Sequence, residues 1–316
     1  VVISLVTQLF IPAEAPSIPQ LVPSEKLLAA NSLFAISFYL STVLGFILAG
    51  PAIRIFGFQN IYLVMGLLMT IATLLVFRLP GLSRQGNEKF SFRFSFLADT
   101  ISGGLQFIKS SPRITQSLIL MTFSQALIAT LAVLAPGFAD RVLTIDLTDA
   151  SYLIMGPAAL GLMFGAFGVG IAGGKLLKGT VILIGIIATG LVLLFLSLIT
   201  RADSPGISFS FPHIQFTISN LLLTVFFLFL LGMFNSFISV PANTILQQET
   251  KSNMRGRVYG VLTSLTGGVS FLPVVFSGIL ADVIGVGRTL SIISMIILTA
   301  AGYHYLQRRN YHTTIN

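Results

Sequence analysis

The chain has 316 residues, of which 54% are hydrophobic and only 9% charged, with a mean hydropathy of +0.93 and a formal net charge of +8. A soluble domain carries roughly 25% charged residues, so these proportions exclude a water-facing globule and make lipid the solvent for most of the chain. Zero cysteines excludes a disulfide framework and a thiolate metal site.

Apolar segments of about 20 residues are long enough to cross a bilayer as helices. Nine are predicted, over 1–20, 30–53, 58–78, 115–138, 151–173, 180–200, 217–241, 257–281 and 287–306, which makes the fold class an all-α polytopic membrane protein. The first segment contains Pro12, Pro16 and Pro19, so its end is kinked or unwound. It starts at Val1 inside an apolar run with no signal-peptide pattern, and reads as the remainder of a longer, N-terminally truncated chain. Glu14 is the acid placed inside or beside this span. Two readings of it stay open. A carboxyl in a low-dielectric site has a raised pKa and can take up and release a proton; equally, Glu14 can sit at a helix end near Lys26 or Arg257, as the surrounding prolines favour.

The longest junction, 79–114, opens with a polar loop and continues into Phe94–Lys109, where Phe96, Leu97, Ile101, Leu105 and Ile108 fall near one helical face. Such a helix lies at the membrane interface and ties two parts of the molecule together. The segment over 151–173 is dense in glycine, including the Gly161-x-x-x-Gly165 spacing that lets helix backbones approach closely. Close static packing is the first reading of it, and a sliding interface the second. Pro51, Pro157 and Pro273 interrupt helices and can kink them.

A weak repeat underlies the chain. Pro12-Ala13 and Pro241-Ala242 are offset by 229 residues, whereas Gly50 and Gly57 match Gly278 and Gly285 at an offset of 228. Parallel repeats of this sort are a common way to build a membrane transporter. The domain reading follows: 1–78 is part of an N-terminal half, 79–114 a linker, 115–306 a C-terminal half and 307–316 a tail.

The basic residues set the orientation. Of the 18 lysines and arginines, 14 fall on one alternating set of junctions, and only Arg54, Arg141, Arg201 and Arg288 on the other. By the positive-inside rule the richer side, and with it the C-terminus, is cytoplasmic. The same spread over five short junctions argues against nucleic-acid binding, which needs the charges on one folded surface.

Membrane-embedded amides recur at Gln8, Gln125 and Asn235, in every third segment, while segments three, six and nine offer almost none. An amide in hydrocarbon must find a partner or water. The period of three therefore predicts that segments one, four and seven line a polar cavity and that three, six and nine face lipid. The bland alternative is that each amide only bridges neighbouring helices. Phe34, Phe38, Tyr39, Phe123 and Phe234 lie near the predicted cavity, and Tyr39 and Phe123 join the three amides as candidate substrate-contacting residues. Arg255, Arg257 and Asp282 are candidates for a cytoplasmic turn or gate. No reacting constellation, metal set or cofactor motif is found: His213, His304 and His312 are scattered, and no G-x-S-x-G elbow occurs. The chain does not read as an enzyme.

Several stretches carry a family resemblance. Phe10-Ile11-Pro12-Ala13 through Ala30-Asn31-Ser32-Leu33, Gly104-Leu105-Gln106-Phe107-Ile108-Lys109-Ser110-Ser111-Pro112, Ala135-Pro136-Gly137-Phe138-Ala139, Arg255-Gly256-Arg257-Val258-Tyr259 and Gly278-Ile279-Leu280-Ala281-Asp282 together resemble the major facilitator superfamily, in its bacterial enterobactin-exporter-like and macrolide-efflux-like branch. Gly45-Phe46 departs from the glycine-proline pair common in that branch. The resemblance implies the major facilitator fold with helices four to twelve of twelve present, in a bacterial inner membrane. It implies a monomer that exports a small amphipathic compound by alternating access, with proton antiport as the driving force. A lipid flippase and a non-transporting sensor or scaffold of the same fold are the alternatives.

Overall fold

The computed structural model describes residues 17–78, 105–139, 151–172, 177–200, 206–211, 214–269 and 271–313. After two short helical turns, Ile18–Leu21 and Ser24–Lys26, the long helices are α1 (Leu27–Val76), α2 (Pro112–Phe138), α3 (Gly156–Ala172), α4 (Lys178–Ile199), α5 (Asn220–Glu249), α6 (Arg255–Ser264), α7 (Phe271–Ile284) and α8 (Val286–Thr313). Seven stretches among the described residues are long and apolar enough to cross a membrane, and Val286–Gly302 adds a shorter apolar helix. They correspond to the second through ninth predicted segments; nearly all of the first lies outside the described residues.

Two predicted segments share α1. Helical hydrogen bonding runs from Leu27 to Val76, but Gly57 breaks it with φ 75° and ψ 162°. This left-handed region is open to glycine and costly for any residue with a Cβ. The other positive-φ glycine among the described residues is Gly285, φ 88°, between α7 and α8. These are the two glycines paired by the sequence repeat, so the repeat ends in the same backbone device in both copies.

α5 is the central helix. It packs against α3, α4 and α2, while α8 packs on the far side of α4, and α1 packs mainly on α3. The main apolar core draws Leu134 and Phe138 from α2, Leu193 and Leu196 from α4, Leu231 from α5 and Leu290 from α8. A second cluster at the opposite end joins Ile108, Ile114, Leu246, Val258 and Leu262. Of the predicted interfacial helix, 105–110 is helical, and Ile108 tucks under α2, α5 and α6 while Leu105 is exposed. Phe94 to Gly104 lie outside the described residues.

The expectation that segments three, six and nine simply face lipid needs correction. None of the Gln59–Val76 window is buried, as expected of segment three. α4, the sixth segment, has the most buried window of all. It buries Val181, Gly185, Thr189, Val192, Leu193 and Leu196 and exposes Ile184, Ile187, Leu191, Phe195 and Leu198. The spacings of three and four put these on opposite stripes of one helix. Small residues interleave with the larger ones on the buried stripe: Ser294 Oγ donates to the Gly190 carbonyl and Ser197 Oγ to the Gly287 carbonyl, each at 2.8 Å. A lack of amides therefore marks apolar packing as readily as lipid contact.

Among the described residues the all-helical reading has one exception. Between α4 and α5 the chain forms an antiparallel ribbon, β1 (Gly206–Phe211) and β2 (Ile214–Ser219). Ser219 then caps α5, its Oγ accepting the Leu222 N–H at 3.3 Å.

The described cations concentrate at one end of the bundle. Lys26, Arg113, Lys178, Lys251, Arg255 and Arg257 lie at helix ends on that side, and Arg288 lies at the start of α8 on the other. At the basic end Arg113 Nη1 lies 2.8 Å from Glu249 Oε1, with the arginine side chain 75% exposed. Water screens such a pair, which is worth at most about 1 kcal/mol. Arg113→Gln is therefore expected to leave the thermal unfolding midpoint in detergent within a few degrees of the parent, and a larger drop would show that the pair holds the basic end together.

Candidate functional site

A cavity of about 350 Å³ opens among α1, α2, α3, α4, α5 and α8. Its wall is overwhelmingly apolar, with Leu131, Phe138, Met155, Leu162 and Leu228 among the lining residues. Its polar groups come from Tyr39, Thr42, Gln125 and Asn235; no Asp, Glu, Lys, Arg or His lines it among the described residues. The dimensions fall at the lower end of the ~300–1,000 Å³ usual for small-molecule sites, which combine an apolar wall with a few placed polar groups.

The two described amides differ in kind. Asn235 is buried and committed: its Oδ1 accepts from Ser124 Oγ at 2.6 Å, and its Nδ2 donates to the Ser124 carbonyl at 3.3 Å. It reaches the cavity wall but bridges α5 to α2, as the bland reading of such amides expects. Gln125, the next residue on α2, is exposed to the cavity and makes no hydrogen bond among the described residues. Its amide is the group free to meet a ligand. Tyr39 reaches the wall from α1 beside Phe38, the two rings edge to face at 5.6 Å.

The remaining sequence candidates scatter. Gln8 and Glu14 lie outside the described residues. Phe123 packs against the main apolar core and is not among the cavity-lining residues. Arg255 and Arg257 begin α6 at the basic end. Asp282 does not join them: 27 residues of a largely helical span, on the order of 40 Å, separate it from Arg255, and it lies by a small pocket with Val133, Gly137 and Val286 at the other end. A span that starts at the basic end must finish on the opposite side, so no single gate contains all three.

Sequence reasoning missed a buried polar cluster at the basic end. Asn31 on α1 donates through Nδ2 to Thr244 Oγ1 at 3.1 Å and Gln247 Oε1 at 2.6 Å, and accepts at Oδ1 from Asn243 Nδ2 at 3.1 Å. Tyr259 of α6 donates to Asn243 Oδ1 at 2.6 Å. Asn31, Thr244 and Gln247 are each no more than 2% exposed. Nearer the surface, Gln248 donates to the Ser24 carbonyl at 2.7 Å and accepts from Lys178. Asn31 precedes Tyr39, and Asn243 follows Asn235, by eight residues, about 12 Å of helix in each case. The cluster therefore joins α1 to α5 and α6 on the basic side of the cavity. Asn31 and Asn243 stand inside motifs visible in the sequence, but a separation of over 200 residues hides their pairing.

Residues 1–273 match a family model described as Major Facilitator Superfamily. No curated protein matches the chain.

Proposed function

The chain belongs to the major facilitator superfamily, a family of membrane transporters, and from that premise we propose that it moves an uncharged, amphipathic organic compound across the membrane by alternating access. The observation that carries this reading is the cavity itself. It combines an apolar wall, a free amide at Gln125 and no ionised side chain among the described residues. A charged ligand would lose its hydration there without gaining a partner, which is costly; a lipophilic ligand with one or two hydrogen-bonding groups would not.

In this reading the basic end faces the cytoplasm by the positive-inside rule. The Asn31 cluster then acts as a latch that holds a cytoplasmic gate closed beneath the cavity. Residues up to 78 belong to one rocking half and those after 114 to the other, with α1 against α3 as part of their contact. Export and its coupling to proton entry follow what the family resemblance implies, and Glu14, the carboxyl inside or beside the first span, is the candidate carrier.

The test is flux in liposomes. Purified protein under an imposed proton gradient is expected to move a fluorescent, uncharged amphipathic compound, and Gln125→Leu to raise the KM about tenfold, the equivalent of roughly one lost hydrogen bond of ~1.4 kcal/mol. Thermal stability should be unchanged, because Gln125 supports no other side chain. No flux for any neutral amphipathic compound in a broad panel would overturn the proposal. So would transport of organic anions or cations only.

A further inference from the structure

Four polar residues of α5 form a row. Asn235, Ser239, Asn243 and Gln247 are spaced by four, so they lie one above another along one ridge of the helix, about 6 Å apart. Three of them are tied to other helices: Asn235 to Ser124 on α2, Asn243 to Asn31 and Tyr259, and Gln247 to Asn31. Ser239 is the exception. Its Oγ is shielded from solvent and completes no hydrogen bond among the described residues, while its neighbours Ile238 and Val240 are buried and apolar. A buried hydroxyl in that condition needs a physical reason.

Tyr39 supplies it. α1 leaves the basic end and α5 returns to it, so the two helices run antiparallel with the same rise per residue. Asn31 meets α5 at Asn243 and Gln247. Eight residues further along α1, Tyr39 must then lie level with 235–239 of α5. The structure places it there: the Tyr39 ring lines the cavity together with Asn235, and its hydroxyl faces Ser239 Oγ without completing a bond. A small rotation of either side chain closes that bond as long as α1 lies against α5. We infer that Tyr39 is a positioning residue of the gate: its hydroxyl is the partner of Ser239 when the basic end is closed, and it forms the rung of the latch nearest the cavity. The cavity wall and the gate thereby share one side chain. The inference rests on the proposed opening and closing of the basic end, and not on which compound is carried.

The test is a double-mutant cycle on one reporter. The chain contains no cysteine and Ala132 lines the cavity, so Ala132→Cys can be labelled by an impermeant maleimide in vesicles with the basic side outward. Tyr39→Phe keeps the ring but leaves Ser239 with no partner in the closed state, and the labelling rate is expected to rise about fivefold. Ser239→Ala alone is expected to stay within about twofold of the parent, because the Tyr39 hydroxyl can turn to the cavity. Tyr39→Phe combined with Ser239→Ala is expected to return to within about twofold of the parent, because removing both partners of a bond leaves no buried group unsatisfied. A ring that merely packed poorly would keep its effect in the double variant. An unchanged rate with Tyr39→Phe would overturn the inference, and so would a rise that persists when Ser239→Ala is added. The labelling uses no transported compound, so a lack of flux leaves this result standing and a failed cycle leaves the transport reading standing.

Discussion

Asn31→Leu is expected to shift the molecule toward the state in which its basic end is open. In the closed state the substitution leaves Thr244, Gln247 and Asn243, all bonded to Asn31, short of a partner in a buried setting. An unsatisfied buried polar group costs about 1–3 kcal/mol. Once the end opens, water reaches these groups and the penalty disappears, so the cost falls on one state only. Taking ~2 kcal/mol as the difference, the ratio of open to closed molecules rises about 30-fold. The cysteine-free sequence permits a direct measurement. Ala132 lines the cavity, and Ala132→Cys can be labelled by an impermeant maleimide added to either side of the membrane. Labelling from the basic side should rise by an order of magnitude in the Asn31→Leu background, and Asn31→Asp or Asn31→Gln should rise less, because each keeps part of the hydrogen bonding. An unchanged side preference together with a lowered unfolding temperature would reduce the cluster to static packing and remove the latch from the proposal.

The fold was readable where one physical variable dominated. Membrane-length apolar runs located the helices because the bilayer core leaves few alternatives for a spanning backbone. The repeat of glycines at 57 and 285 was readable because a left-handed backbone position leaves a residue-type signature, and both take up positive φ. Side-chain partnership was harder to see. Gln125 and Asn235 look alike in sequence, yet one faces the cavity free and the other is tied to Ser124. Their difference lies in which face of α2 meets α5, and one helix's sequence does not state that. Asn31 and Asn243 were visible as residues and invisible as a pair. The ribbon went unread: 206–216 fall in the junction between the sixth and seventh segments, and only 217–219 overlap the seventh, so strand and helix start were not told apart. Periodicity of two, not mean hydropathy, is the signal that separates them.

The glycines of α3 and α5 set the second large effect. A Cβ on Gly161 would lie 1.9 Å from the Phe229 carbonyl oxygen, one on Gly165 2.3 Å from the Met233 carbonyl oxygen, and one on Gly232 2.0 Å from the Ala158 carbonyl oxygen. Each helix thus offers glycine to the other's backbone, and Ser236 Oγ donates to the Leu162 carbonyl at 2.6 Å in the same seam. A methyl carbon needs about 3.3 Å or more from an oxygen, so Gly161→Ala must push the backbones apart by over an ångström or bend one of them. The obstacle is backbone on both sides, with no flexible side chain able to yield. Overpacking of this kind typically costs ~1–3 kcal/mol and sometimes more, and Gly161→Val is expected to prevent recovery of folded protein. Gly168→Ala on the same helix is the matched control. Its Cβ would meet the Phe237 ring at 3.8 Å, an ordinary contact, and replacing a helical glycine by alanine is favourable by up to ~1 kcal/mol. The two alanine variants should therefore move the unfolding midpoint in detergent in opposite directions. Equal midpoints would mean that α3 and α5 are not in backbone contact. Because Ala158, Leu162 and Gly232 also line the cavity, any Gly161→Ala protein that does fold should carry a widened site, with altered KM before any change in turnover.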